Sequence, residues 1–373
     1  SVETLQHALQ VYDLSIETED PAEDEDVPVL LHNNAFSSAV QGVVESYSLP
    51  GKGEIDPSFL ISLFYFIFFG FMLADIGIGA LIVLATGILL IRNPNMERGS
   101  RDMMKLLFFG GICTIFFGAL FGSCFGDVIP VVSGNFFGHE IELKPLWLDM
   151  AAHPMTVLSL ALVMGIIHIY VALGAAAYQH IRQKDIMGLF FKDLVWYVIL
   201  TGLILKCLSM QMIMDILGGG SAPFISQQVG QIGLIAAGAG CVIVIFMSEY
   251  QTKSWPKRIL KGLYGVYGIS GYLSDILSYS RLLALGLATG VISSVANMIG
   301  TMFGNGVVGV IIFIIVFLII NTVNIGINTL GAYVHTNRLQ YVEFFGHFYE
   351  GGGRPFEPYS IKTKYYKFKE NAK

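Results

Sequence analysis

Long apolar runs separated by short polar breaks set the plan of the chain. They cover residues 58–91, 106–124, 155–178, 193–214, 229–247, 263–303 and 307–334. A helix needs about 20 apolar residues to cross a hydrocarbon core of about 30 Å, and these runs reach that length. The first run is too long for one upright helix. The cluster "ADIGIG", Ala74 to Gly79, divides it, because an aspartate among repeated glycines marks a turn. The pattern predicts an all-α polytopic membrane protein with eight transmembrane helices.

Charge in the connections supports this reading. The loop "RNPNMERGSRDMMK" carries Arg92, Arg98, Arg101 and Lys105, whereas residues 125–153 are acidic and hold Lys144 as their only lysine or arginine. A basic loop follows (Arg182, Lys184, Lys192), then "ILGGGSAPFISQQ" without Lys or Arg, then a basic loop again (Lys253, Lys257, Arg258, Lys261). Basic and non-basic connections alternate throughout, and by the positive-inside rule both termini are expected in the cytoplasm. Over the 373 residues, 54% are apolar and only 13% charged, against about 25% charged in a soluble domain. The net charge of −6 says less than its distribution. Nucleic acid is not an expected partner; membrane lipid is.

The last two runs differ from the others. No proline occurs between Pro256 and Pro355, and the strong break is Gly304-Asn305-Gly306. Two helices of about 42 residues would each be about 63 Å long, twice the hydrocarbon thickness. They are expected to project from the bilayer or to lie steeply tilted, as a hairpin over residues 263–348. Gly262, Gly265, Gly268 and Gly271 leave room on the first arm for close backbone approach. In the same arm Arg281 interrupts an apolar run, on a face shared with Ser274, Ser278, Leu285 and Ala288. On the second arm Asn321, Asn324, Asn328, Gly331, His335 and Arg338 recur at helical spacing. Such a stripe must face protein, water or ions, since lipid would leave each amide unpaired.

An arginine at a bilayer centre costs roughly 2.5–3.5 kcal/mol on insertion scales. It can be offset by a carboxylate of this chain, for which Asp75, Asp127, Asp193, Asp215, Glu249, Asp275 and Glu343 are the near-membrane candidates. Alternatively both arginines face a carboxylate on another polypeptide, with the polar stripe as an aqueous path to it.

Four segments resemble one family. "SYSRLLALGLA" is similar to the S-Y-L-R-L-x-A-L-x-L-A motif of the membrane stator subunit (subunit a or subunit I) of rotary V-type and A-type ATPases. "HTNRLQYVEFFGHFYEGGGRPFEPY", His335 to Tyr359, resembles that family's H-x-x-R-L-x-x-V-E segment and the aromatic, glycine-rich stretch after it. "LFYFIFFGFMLADIGIG" resembles the F-G-x-M-F-G-D-x-G-x-G of its first hairpin, and "LPGKGEIDPS" the junction before it. The resemblance runs from about residue 27 to 360. It implies that Arg281 and Arg338 face the carboxylates of a rotor ring of proteolipid (c/K) subunits, and that the subunit couples ATP-driven rotation to H⁺ or Na⁺ translocation. An arginine beside a carboxylate favours its ionised form, so a loaded rotor site releases its ion there. Ser274, Asp275, Ser278, Asn321, Asn324, Asn328, His335 and Glu343 are the candidate half-channel residues. Glu343 is expected to share a helix face with His347 and Glu350.

The chain departs from the family at several positions. Asn328 and Tyr267 stand where eukaryotic members carry glutamates, and Ala74 and Ile78 replace the usual Gly and His or Tyr. The expected organisation is a polar leader (1–56) left from an N-terminal cytoplasmic arm that would meet peripheral stalks, a membrane domain (57–348) and a cytoplasmic tail (349–373). The expected location is a prokaryotic plasma membrane. No G-x-x-x-x-G-K-[ST] loop occurs, so ATP hydrolysis is assigned to partner subunits. No cofactor or metal is expected; Cys113, Cys124, Cys207 and Cys241 lack ligand spacing, as do His139 and His153. His168 reads as an interhelical hydrogen-bonding group, and Lys206 as a snorkelling or paired one. The rivals are a secondary transporter with a midplane polar site, which usually shows internal repeats, and a helical scaffold assembled through Gly286 and Gly290. Whether the ion is H⁺ or Na⁺ stays open.

Overall fold

The computed structural model describes residues 28–51, 54–139, 141, 144–211, 225–247, 255–304 and 306–356. The chain is a polytopic helical bundle. A short helix α1 (Ser38–Tyr47) leads into α2 (Ser58–Leu73), α3 (Ile76–Arg92), α4 (Arg98–Phe121), the short α5 (Val128–Phe137) and α6 (Pro154–Arg182). Then come α7 (Ile186–Leu208), α8 (Gln227–Met247), α9 (Trp255–Ser278), α10 (Ser280–Thr301) and α11 (Val307–Arg338). Six stretches are long and apolar enough to cross a membrane, counting α9–α10 as one and running α11 on to His347; α2 and α3, of 16 and 17 residues, are shorter apolar helices. At most 39% of the apolar window of any of the six is buried inside the protein, so their outer faces are suited to lipid.

The ends of the helices follow from local chemistry. At "ADIGIG", Ala74 closes α2 in the left-handed region (φ 38°), and Asp75 caps α3 by accepting from the Ile78 N–H. The predicted division of the first apolar run is thus present. Gly122 (φ 72°) and Gly138 (φ 75°) end α4 and α5, and Pro154 begins α6. Helix α5 lies inside the acidic connection, where no apolar run signalled it.

Close approach explains two glycines. A Cβ on Gly118 of α4 would sit 2.4 Å from the Ile76 nitrogen, and one on Gly262 of α9 would sit 2.2 Å from the Ile245 carbonyl oxygen of α8. Gly262 therefore does what its spacing predicts. Among the other glycines of that row, Gly265 and Gly268 meet Val244 and Trp196, while Gly271 faces open space.

The long hairpin carries breaks that periodicity does not reveal. Between α9 and α10, Tyr279 forms a tight turn: its N–H donates to Ile276 O and its own carbonyl accepts from the Leu282 N–H. Beyond Arg338 the helix widens into a π turn (Leu339–Phe344) and then tightens at Phe345–His347. A second π turn, Leu189–Leu194, lies within α7.

Residues before and after the bundle close on each other. The strand β1 (Pro28–Val29) pairs in parallel with β2 (Arg354–Pro355). Glu54 accepts backbone N–H bonds from Gly51, Glu350 and Gly351, and the Tyr349 hydroxyl donates to Ser48 O. Tyr47 packs against Tyr341, Phe345 and Tyr349.

Candidate functional site

Helices α10 and α11 lie side by side and carry the two arginines. Arg281 stands in the first turn of α10, two residues after the Tyr279 break, and Arg338 is the last residue of α11. Arg338 is exposed; Arg281 is half-buried, and its Nη1 is buried without a hydrogen-bond partner. Arg281 lies within electrostatic range of Arg338 and of Glu343. Among the described residues neither guanidinium forms an ion pair.

Four of the candidate carboxylates have other partners. Asp75 accepts from the Ile78, Phe125 and Gly126 N–H groups and from the Ser123 hydroxyl. Asp127 accepts from the Asn297 amide of α10 at 2.9 Å. Asp193 meets His180 Nδ1 at 2.7 Å, and Asp275 meets His347 Nε2 at 3.2 Å. Glu343 is 1% exposed, with Oε2 unbonded. Asp215 and Glu249 lie outside the described residues.

The asparagine stripe faces inward. Asn321, Asn324 and Asn328 are all buried. Ser293 donates to Asn321 Oδ1 (3.1 Å), the Asn324 amide donates to Ser293 Oγ (2.9 Å) and to Thr289 O (3.4 Å), and the Asn328 amide donates to Asn324 Oδ1. This ladder knits α11 to α10, and none of its asparagines lines the cavities at the two ends of the bundle. Ser274 is exposed, the half-buried Ser278 donates to Ser274 O, and the half-buried His335 has an unbonded Nδ1.

Two cavities lie toward opposite ends of the bundle. One, of about 650 Å³, lies at the end of the bundle holding residues 121–151; it includes Ser123, Asp127, Lys144, Asp149, Gly286, Gly290 and Ser294. The other, of about 680 Å³, lies at the end holding the basic connections and includes Glu54, His180, Asp193, Tyr272, His347 and Glu350. The expected common face of Glu343, His347 and Glu350 is not kept. His347 and Glu350 line the second cavity and Glu343 does not, because the π turn and the tighter turn after it break the 3.6-residue period.

Several partnerships at the site, and the residues His180 and Asn297, had no signal in the sequence. His180 and Asp193 meet across the α6–α7 connection, 13 positions apart, a spacing with no helical meaning. His347 also stacks on Tyr272, ring centroids 4.7 Å apart at 4°. Asn297 was hidden among small residues; its buried amide also donates to Phe125 O at 3.0 Å.

Comparison with known proteins agrees with this architecture. The family model of the V-type ATPase 116kDa subunit family matches residues 2–143 and 269–361, and so includes both arginines. The chain is 31% identical over 362 residues to the A-type ATP synthase subunit I of Pyrococcus horikoshii, covering 94% of this chain and 50% of that protein. It is 29% identical over 372 residues to the A-type ATP synthase subunit I of Methanocaldococcus jannaschii, covering 93% and 51%. It is 25% identical over 411 residues to the V-type ATP synthase subunit I of Chlamydia muridarum, covering 96% and 59%. The chain spans about half the length of the first two relatives. Polytopic helices, the two arginine-bearing segments and these matches together make the chain a member of the V-type ATPase 116kDa subunit family, a membrane subunit of V/A-type ATPases.

Proposed function

We propose that the chain is the ion-conducting part of the stator, with Arg281 and Arg338 facing the carboxylates of a rotor ring. One observation carries this reading: neither guanidinium has an ion pair among the described residues, although Arg281 and Arg338 stand on two neighbouring apolar helices. A fixed positive charge without an ion pair among the described residues, at a membrane-embedded position, is suited to meet an external carboxylate. Meeting it would favour that carboxylate's ionised form and release its ion.

The two cavities are the half-channels in this reading. The one at the basic end touches α9 through Tyr272, nine residues before Arg281, or about 13 Å at helical rise. The other touches α10 through Gly286, five residues after it, or about 7 Å. Arg281 thus stands between the two and bars direct passage of a cation, so ions must travel with the ring. The positive-inside rule puts the basic end, and both termini, in the cytoplasm. ATP hydrolysis belongs to partner subunits in this reading, and peripheral stalk subunits are further partners.

The test is ATP-driven ion uptake by the whole subunit in its complex in proteoliposomes, in H⁺ and in Na⁺ media. Arg281→Ala and Arg338→Ala are expected to abolish uptake with assembly intact, and the medium that supports wild-type uptake names the ion. Unimpaired uptake by an assembled Arg281→Ala complex would remove that arginine from the mechanism.

A further inference from the structure

Both arms of the arginine hairpin rest on one side chain of a third helix. His168 of α6 is fully buried, and its Nδ1 lies 2.6 Å from the Tyr279 hydroxyl. Tyr279 is the turn between α9 and α10, two residues before Arg281. The other side of the imidazole serves the second arm. Phe344 stacks on it at 4.4 Å and 2°, and the buried Gln340 amide, two residues after Arg338, lies beside the same ring.

The surroundings leave this contact little freedom. Tyr279 is itself fully buried, with Phe68 edge-on at 5.6 Å. A Cβ on Gly165, one turn before His168, would lie 2.4 Å from the Tyr279 ring. That glycine admits the tyrosine, and His168 then fixes its hydroxyl. Neither His168 Nε2 nor the Gln340 amide completes a hydrogen bond. The Nδ1 contact is therefore the polar bond that holds the imidazole, and stacking on Phe344 carries its position to the second arm.

We infer that His168 is a positioning residue that sets the register of Arg281 relative to Arg338, through Tyr279 on one arm and Phe344 on the other. It touches no transported ion. The inference rests on the stator reading for its functional consequence, but its structural content stands apart from that reading.

The test separates the two. In the purified full-length subunit, spin labels replace the exposed Ala284 and Val334, which lie on α10 and α11 near the arginines, in a background without the native cysteines. Asparagine keeps a polar atom at the place of Nδ1, whereas glutamine keeps one at the place of Nε2. The distance distribution between the labels is expected to be retained in His168→Asn, and to shift or broaden in His168→Gln and in Tyr279→Phe. In the assembled complex, ion uptake is expected to fall roughly tenfold, the equivalent of one buried hydrogen bond, in His168→Gln and Tyr279→Phe, and less in His168→Asn. Tyr279→Phe keeps the ring and its packing, so it covers the case in which His168→Gln does not fold. Distance distributions that all superpose on the parent, or equal loss of uptake in His168→Asn and His168→Gln, would overturn the inference. Either result leaves the Arg281→Ala test untouched.

Discussion

Asp75 is the residue whose loss should be felt first in stability rather than in transport. Its carboxylate is 1% exposed and accepts four hydrogen bonds. Oδ1 takes the N–H groups of Ile78 (3.0 Å) and Phe125 (2.9 Å); Oδ2 takes Ser123 Oγ (2.8 Å) and the Gly126 N–H (3.1 Å). One side chain thereby caps α3 and holds the turn that follows α4. In Asp75→Asn the amide nitrogen is best placed at the Oδ2 position, because the Ser123 hydroxyl can rotate and accept from it. The Gly126 N–H is then left facing a donor. One buried orphan donor, together with the loss of charge-assisted bonds, amounts to about 2–3 kcal/mol. Asp75→Ala removes all four acceptor contacts; water entering from the adjoining cavity limits the damage to about 4 kcal/mol. The assay is thermal unfolding of the detergent-solubilised full-length subunit, with Ser123→Ala as the mild control. The expected order is Asp75→Ala below Asp75→Asn below Ser123→Ala. An Asp75→Asn protein as stable as the parent would refute the reasoning, because it would show that the four bonds do not hold this turn.

Two further outcomes follow from the geometry. Ala74 is held at φ 38°, where a side chain is strained by about 1 kcal/mol or more; Ala74→Gly is therefore expected to raise the unfolding temperature, and no change would mean that the strain does not exceed the cost of glycine's greater freedom in the unfolded chain. Burial first, and then the negative charges of Glu54 and Asp56 with Tyr47 nearby, push the Tyr349 hydroxyl above its usual range. The folded state then holds a proton that the unfolded chain gives up above pH 10, so this contribution is complete below pH 10 and is lost as pH rises further. Tyr349→Phe should flatten that alkaline decline while lowering stability at neutral pH by about 1 kcal/mol, the worth of its bond to Ser48 O; an unchanged alkaline profile would show that Tyr349 does not cause it.

Arg281 was legible because guanidinium in an apolar run is conspicuous, and Arg338 and the asparagine ladder because their spacing keeps one helical period. What the ladder faces was not legible. Periodicity identifies a polar face, but Ser293 and Thr289 across from it become partners only when α10 and α11 pack. The π and tighter turns after Arg338 carry no glycine or proline signal before Gly346, so Glu343, His347 and Glu350 were assigned one face by a period the backbone abandons.

The sequence by itself determined the helical membrane class, the division at Ala74-Asp75 and the hairpin turn near Gly304. Each of these depends on interactions within a few residues: apolar length against bilayer thickness, a capping carboxylate, the backbone freedom of glycine. Only the tertiary structure decided that His168 meets Tyr279 across 111 positions, that Asp193 is taken by His180, and that neither arginine finds an ion pair among the described residues. These outcomes depend on which helices become neighbours, and that is settled by packing summed over whole faces rather than by any local spacing.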